Sequence, residues 1–298
     1  MRILAFFTLF LIPAVTSAQT FGGIGTRAEG MGGAFVAVAD DATAVYWNPA
    51  GIATGAAFDF QVSRADTPPG AMLFIGATMP VLGVSFYRTH TVQGSPDRQN
   101  EGSGKVPIRT LTTSNVAVTV VQSVVSTLVI GSTARLVRVG ADSFETRTIV
   151  DFDAGAMWSA GGLRLGITGR NLREPEFQNG SGPVRLDRQV RAGIAFAPRS
   201  LSAGVHGPFS VAFDADLTQL AMPDGDLRMA AIGGEYWLAH GLVGARAGMR
   251  WRTLGDPRRT LSGGLTVRLP RSIFAEGQVT KPQNGGETQW SVGARVTF

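Results

Sequence analysis

Cysteine is absent from the 298-residue chain. No disulfide framework, zinc cluster or thiol nucleophile can therefore be built from it. Histidine is scarce as well: His90, His206 and His240 lie in separate segments, and no His-x-x-x-His spacing offers metal ligands. No Gly-x-Ser-x-Gly elbow is present and no acid pair sits in an otherwise apolar stretch, so enzyme chemistry has no nucleophile and base to point to. Charged residues make up only 16% of the chain, against about a quarter in soluble domains. Long apolar runs are missing after the first residues, which excludes membrane-spanning helices of about 20 residues. If the protein lives in a membrane, it must do so as a closed barrel. Mean hydropathy is slightly positive at +0.12, and glycine is abundant at 39 residues.

The start reads as a secretory leader over residues 1–18. Arg2 supplies the positive region, Ile3 to Val15 the apolar core, and Thr16-Ser17-Ala18 a small-residue cleavage site. The mature chain is then expected to begin near Gln19, outside the cytoplasm. The net charge of +5 comes from arginine more than lysine, and the arginines fall at alternate positions rather than in a patch. That spacing argues against a nucleic-acid partner.

Residues Gly22 to Ala53, GGIGTRAEGMGGAFVAVADDATAVYWNPAGIA, form the only long stretch that does not alternate. Asp40 and Asp41 are placed to cap a short helix through Ala44, Val45 and Tyr46. Asn48-Pro49 should stop that helix, because proline disfavours the α conformation in the residue before it. Gly23-Ile24-Gly25-Thr26-Arg27-Ala28 satisfies a dinucleotide-site spacing, but neither a preceding strand nor a βα alternation accompanies it. The stretch reads as a compact, turn-rich peptide that needs a cavity to sit in.

Arg27-Ala28-Glu29-Gly30-Met31-Gly32-Gly33-Ala34, Ala39-Asp40-Asp41-Ala42 and Trp47-Asn48-Pro49-Ala50-Gly51 resemble the N-terminal signature of the FadL/PorV-like outer-membrane barrels. The Gly-Gly-Ala run and the aromatic before Asn48 resemble the PorV-like branch most closely. The resemblance implies a hatch lodged in a barrel lumen over residues 19–54, and a barrel over 55–298. It implies gating residues Asn48, Pro49, Ala50, Asp40 and Asp41, with Phe35, Val36, Val38, Tyr46 and Trp47 as apolar contacts. No cofactor or metal is expected.

After Thr54 the chain becomes a train of segments with period two. Trp290, Val292, Ala294, Val296 and Phe298 alternate with Gln289, Ser291, Gly293, Arg295 and Thr297. Turn residues divide this train into about fourteen strands, at 56–65, 70–79, 82–91, 108–121, 126–139, 144–159, 162–171, 184–197, 207–219, 226–238, 241–252, 258–269, 272–281 and 287–298. An even number puts both ends on the periplasmic side. Met79-Pro80, Ala160-Gly161, His240-Gly241 and Pro270-Arg271 then read as periplasmic turns, while 92–107 and 172–183 read as outer joints.

Periodicity alone fits a secreted β-sandwich as well. Trp158 and Trp237 at one set of strand ends, and Trp251 and Trp290 at the other, favour interfacial girdles and a transmembrane all-β barrel. The terminal Phe298 resembles the end that barrel-assembly machinery reads.

Charges facing lipid would cost a few kcal/mol each, so they are expected in the lumen. The expected lumen set is Arg164, Arg170, Arg191, Arg246, Arg250, Arg268 and Arg295 with Asp59, Asp151, Asp153, Asp214, Asp216 and Glu276. They form either a structural ladder or a selectivity lining for anions. Two functions follow from the resemblance. One is passive passage of hydrophobic small molecules, fatty-acid or hydrocarbon-like, across a Gram-negative outer membrane. The other is a PorV-like part in a secretion system, with a secreted protein as partner.

Overall fold

The computed structural model describes residues 16–17, 23–67, 70–94, 108–141, 144–179, 182–198, 209–220, 226–255, 257–283 and 285–298. The leader, Thr16–Ser17 apart, and the joint at 95–107 lie outside them. Among the described residues fourteen strands make up the main sheet: β1 (Asp59–Thr67), β2 (Gly70–Met79), β3 (Leu82–Gly94), β4 (Ile108–Val125), β5 (Leu128–Ala141), β6 (Phe144–Ala160) and β7 (Leu163–Arg170) form the first half. β8 (Gln189–Phe196), β9 (Phe209–Asp216), β10 (Arg228–Leu238), β11 (Val243–Leu254), β12 (Arg259–Leu269), β13 (Ile273–Pro282) and β14 (Gln289–Thr297) complete it.

Each strand pairs antiparallel with its sequence neighbours, and β14 pairs with β1, so the sheet closes. At that seam Phe58 and Phe298 exchange backbone hydrogen bonds of 3.2 and 3.0 Å. Closure leaves no unpaired edge, which is what a strand structure in lipid requires. Among the described residues no helix is long and apolar enough to cross a membrane.

The period-two pattern sorts side chains cleanly. Val116, Val118, Val120, Ile130, Leu136, Val211, Leu265 and Val292 all face outward and are exposed, while Asp151, Asp214, Thr266 and Arg295 face inward and are buried. An apolar exterior over a polar interior inverts the order of a soluble sandwich.

The expected turns form where they were placed. At Ala239–Gly241, His240 (φ 58°) and Gly241 (φ 85°) reverse the chain, and Arg271 (φ 61°) does so at Pro270–Ser272.

The wall is uneven. β4 and β6 run for 18 and 17 residues, whereas β7, β8 and β9 have 8 each. Beside the short strands, the 172–183 joint is more than a plain loop. Glu176–Asn179 and Gly182–Arg185 pair as a hairpin. Phe177 within it and Leu186 just after it are buried against the inward-facing Val137 and Val139 of β5, over the outer mouth.

Candidate functional site: the lumen and the segment within it

Residues 23–55 contact inward-facing side chains all round the ring. Helix α1 (Thr26–Gly30) packs beside β11–β13, and the 3-10 turn Pro49–Thr54 packs beside β4–β6. Ile24, Met31, Phe35, Val36, Val38, Trp47 and Ala50 are all buried. The ring and segment share one apolar core, which also holds Phe74 and Tyr87 from β2 and β3.

Glycines in the wall allow this close fit. A Cβ on Gly131 would stand 2.5 Å from the Pro49 carbonyl carbon, and one on Gly166 would stand 2.6 Å from the Val36 oxygen. A Cβ on Gly155 would overlap the Asn48 side-chain oxygen.

Asn48 closes helix α2 (Ala44–Trp47) with extended backbone, φ −160° and ψ 105°, as the following proline requires. Its side chain is fully used. Oδ1 accepts the Ala50 N–H at 3.2 Å, and Nδ2 donates to Val36 O at 2.9 Å and to Ala156 O of β6 at 3.1 Å. One buried amide thus ties two turns of the segment to the wall. Pro49 opens a 3-10 turn that the motif did not announce.

The capping expectation for Asp40 and Asp41 is corrected. Thr43 holds the N-cap position of α2, and no side chain caps its first turn. Asp41 instead accepts the Thr43 N–H and hydroxyl one step earlier. Asp40 is drawn away by two guanidiniums: Arg27 at 2.6 Å and Arg164 at 3.1 Å. Two ion pairs outcompete a cap that water or backbone can replace.

Arg27 is the centre the sequence reading missed. It also meets Glu235 of β10 at 2.7 Å and Asp41 at 3.3 Å, and its guanidinium lies 5.2 Å from the Phe35 ring centroid. Two other wall arginines form ion pairs with the segment, Arg250–Glu29 at 3.7 Å and Arg295–Asp41 at 3.8 Å, and Arg191 donates to the Gly33 carbonyl at 3.4 Å. Arg246 reaches Glu235 at 3.7 Å and donates to Thr266. Asp214 accepts the Phe35 and Val36 N–H groups at 2.7 and 2.8 Å.

Other charges pair within the wall. Arg191 meets Asp216 at 2.6 Å, and Arg295 meets Asp59 at 3.9 Å. Toward the outer mouth Arg135 binds both Asp151 and Asp153, and Arg170 reaches Asp153 at 3.7 Å. The Arg170 guanidinium also lies 3.7 Å from the Tyr46 centroid. Tyr46 meets Tyr87 and Trp47 edge-on at 5.6 and 5.5 Å, and the Trp47 indole N–H donates to Ile24 O at 2.8 Å. Arg135 and Glu235 were missing from the expected lumen set, although their inward parity on their strands was the signal that could have found them.

Two placements differ from expectation. Arg268 has the inward parity but lies beyond the filled region, exposed at the mouth near the chain ends, over the Phe274 ring at 5.9 Å. It does not pair with Glu276, whose nearest partners are Thr266 and Gln61, each at 3.5 Å. Trp237 is no outward girdle residue. It turns inward, donates to Glu235 at 2.6 Å and packs edge-on to Phe274 at 6.2 Å, while Tyr236 takes the outward position. Trp251 and Trp290 do face outward; Trp251 packs on Phe213 at 6.2 Å.

The wall is also dented outside the Asn48–Pro49 turn. A depression of about 520 Å³ opens there, rimmed by Val120, Ile130, Ile167 and Val190 around the small residues Ala154 and Ala156. The strand pairing beneath it is unbroken, from Val120–Ser132 through Ser132–Ala154 to Ala154–Gly169. Among the described residues no His/Cys/Asp/Glu group could hold a metal.

The fold matches that of solved barrels closely at low identity. The monoaromatic hydrocarbon channel CymD superposes with a TM-score of 0.65 at 12% identity, over 94% of this chain and 99% of that one. A FadL homologue of Pseudomonas aeruginosa gives 0.65 and 12%, over 97% and 99%. The Pseudomonas putida toluene transporter TodX gives 0.61 and 12%, over 94% and 98%. The FadL-type architecture expected from the signature is thereby found, and nothing sets the PorV-like branch apart. No protein of curated function matches the sequence. A family model described as "F plasmid transfer operon, TraF, protein" matches residues 52–216, more than half of the chain, and the chain belongs to that family.

Proposed function

We propose that this chain is an outer-membrane barrel through which hydrophobic small molecules pass, with residues 19–54 as its hatch and 55–298 as its wall. The observation that carries the reading is the seating of Asn48-Pro49-Ala50. Asn48 ties the turn to the wall through Ala156 O and to its own segment through Val36 O and the Ala50 N–H, and the turn packs on Gly131 and Gly155. The likeness to a monoaromatic hydrocarbon channel, a toluene transporter and a FadL homologue supports it. Ligand entering from the outer mouth would displace this turn, and a two-state element of this kind is what a ligand can bias. Cargo would leave sideways beside the dent rimmed by Val120, Ile130 and Ile167, where the wall is apolar outside and glycine-backed inside.

The barrel also needs outer-membrane lipid and, through Phe298, the assembly machinery. No enzyme activity is assigned to it. The Arg–Asp/Glu pairs are read as a ladder and tether rather than an anion filter, because each of Arg164, Arg191, Arg246, Arg250 and Arg295 already meets a carboxylate.

Uptake of a labelled fatty acid or toluene by cells carrying the wild-type chain, N48A/P49A or a deletion tests the reading. Uptake should fall in both altered strains at equal surface abundance. Equal uptake by all three removes transport. A second reading, a PorV-like part in presenting a secreted protein, rests on the resemblance of residues 27–51 alone. It predicts instead that altering 172–183 abolishes co-purification of a partner.

A further inference from the structure

Every buried arginine described above is paired or stacked, but on β1–β6 three outward-facing ones meet no carboxylate among the described residues. Arg64, Arg88 and Arg138 are exposed. They lie in one register row across β1–β5: Arg64 pairs with Leu73, Leu73 with Arg88, Arg88 with Ser114, and Ser114 with Arg138. Two strand spacings separate successive arginines, about 10 Å. Arg88 donates to the Ser114 hydroxyl at 3.1 Å and lies 5.7 Å from the Phe86 centroid. Nothing else described restrains the three.

The row sits on the end of the barrel opposite the tight turns and the two chain ends. In an even-stranded barrel that end faces the outside. Directly beneath runs a row of apolar partners, Val62–Ile75–Phe86–Val116–Leu136–Val150, and a second below it, Phe60–Ala77–Val84–Val118–Ala134–Phe152. On β1–β6 the only other outward-facing charge with a described side chain is Asp66, one step farther out beside Arg64. Guanidiniums facing hydrocarbon would cost a few kcal/mol each. A basic row immediately above an apolar band is instead the complement of an anionic amphiphile: phosphates above, acyl chains below.

We infer that β1–β5 carry a binding face for a phosphorylated lipid of the outer leaflet. Arg64, Arg88 and Arg138 hold its phosphate groups, and Ile75, Val116 and Leu136 lie along its acyl chains. The inference rests on the outer-membrane reading. It assigns the row to membrane lipid rather than to the transported cargo, which would sit inside.

The test uses the full mature chain in detergent, titrated with bisphosphorylated lipid A, with dephosphorylated lipid A, and with inorganic phosphate as competitor. The phosphorylated lipid should bind more tightly by roughly a hundredfold for three arginines near a charged surface. The R64Q/R88Q/R138Q chain should lose that difference, as should the wild type in 1 M salt, where the Debye length falls to about 3 Å. Equal binding of the two lipids to a heat-modifiable, detergent-dependent wild-type barrel overturns this inference alone. Competition by millimolar inorganic phosphate overturns the lipid assignment in favour of a free-anion site. A chain that is soluble and monomeric without detergent overturns the outer-membrane reading itself. If the triple variant fails to fold, the wild-type comparison of the two lipids still decides.

Discussion

At the scale of single residues, Arg27 and Asn48 hold the segment by different means. Arg27 is buried among Glu235, Asp40 and Asp41. Replacing it with methionine leaves three carboxylates short of a partner, and breaking a buried charge network from one side costs about 3–5 kcal/mol. The expected result is a folded, heat-modifiable barrel whose planar-bilayer conductance rises because the segment no longer seats. Unchanged conductance in R27M would show that the apolar contacts suffice.

Asn48→Ala removes three hydrogen bonds and leaves the Val36 and Ala156 carbonyls short of a donor, a loss of about 1–3 kcal/mol. It should show as faster amide exchange over 48–54 with the strand amides unaffected. Gly155→Val acts from the other side, since its Cβ would occupy the Asn48 side-chain oxygen. It should mimic Asn48→Ala, and the two together should cost little more than either alone, because both release one contact.

At the scale of elements, the hairpin over the outer mouth invites a direct probe. The chain contains no cysteine, so a single introduced thiol reports without background. V139C, beneath Phe177 and Leu186, should resist a membrane-impermeant maleimide. Adding F177A should restore reactivity, because truncating a buried phenylalanine loosens the larger of the two side chains that anchor the hairpin. Fast labelling of V139C alone would mean the mouth stands open.

Strands were legible in sequence because one rule governs them all: successive side chains face lipid and lumen. β2 lies at 70–79 as read, and every other boundary falls within three residues of its expected place except the end of β4, at Val125 rather than 121, and the start of β8, at Gln189 rather than 184. The hairpin was not legible, since its contacts are long-range and its composition resembles any polar loop. The same gap explains Asp40. Its local neighbours favour a cap, and only the folded ring brings Arg164 within reach, 124 residues on. Trp237 was misplaced for a related reason. A tryptophan at a strand end suits a girdle, but parity puts it beside Glu235 on the inward face, and parity decides.

At the scale of the whole molecule, the closed sheet with its apolar exterior predicts membrane extraction only by detergent and faster migration in SDS when unheated. Deleting residues 20–53 should leave that shift intact, because β1–β14 pair with one another and not through the segment, while raising bilayer conductance markedly. Loss of the shift on deletion would mean that the ring needs its filling to close.

The seam between β14 and β1 has a further consequence for how the molecule is made. Residues 23–55 emerge before any strand, and the ring is completed only when Gln289–Thr297 meets Asp59–Thr67. The segment's wall partners come from both halves of the chain: Gly131 and Ala156 early, Asp214, Glu235, Arg250 and Arg295 late. We expect its seating to accompany closure, because its set of wall partners is complete only when the ring is. The chain wraps around its own beginning. Pairings of such sequence separation form slowly, and until they form, the segment's carboxylates and the late arginines wait apart. A mature chain lacking the segment, refolded with that segment added in trans as a peptide, should close but stay conductive.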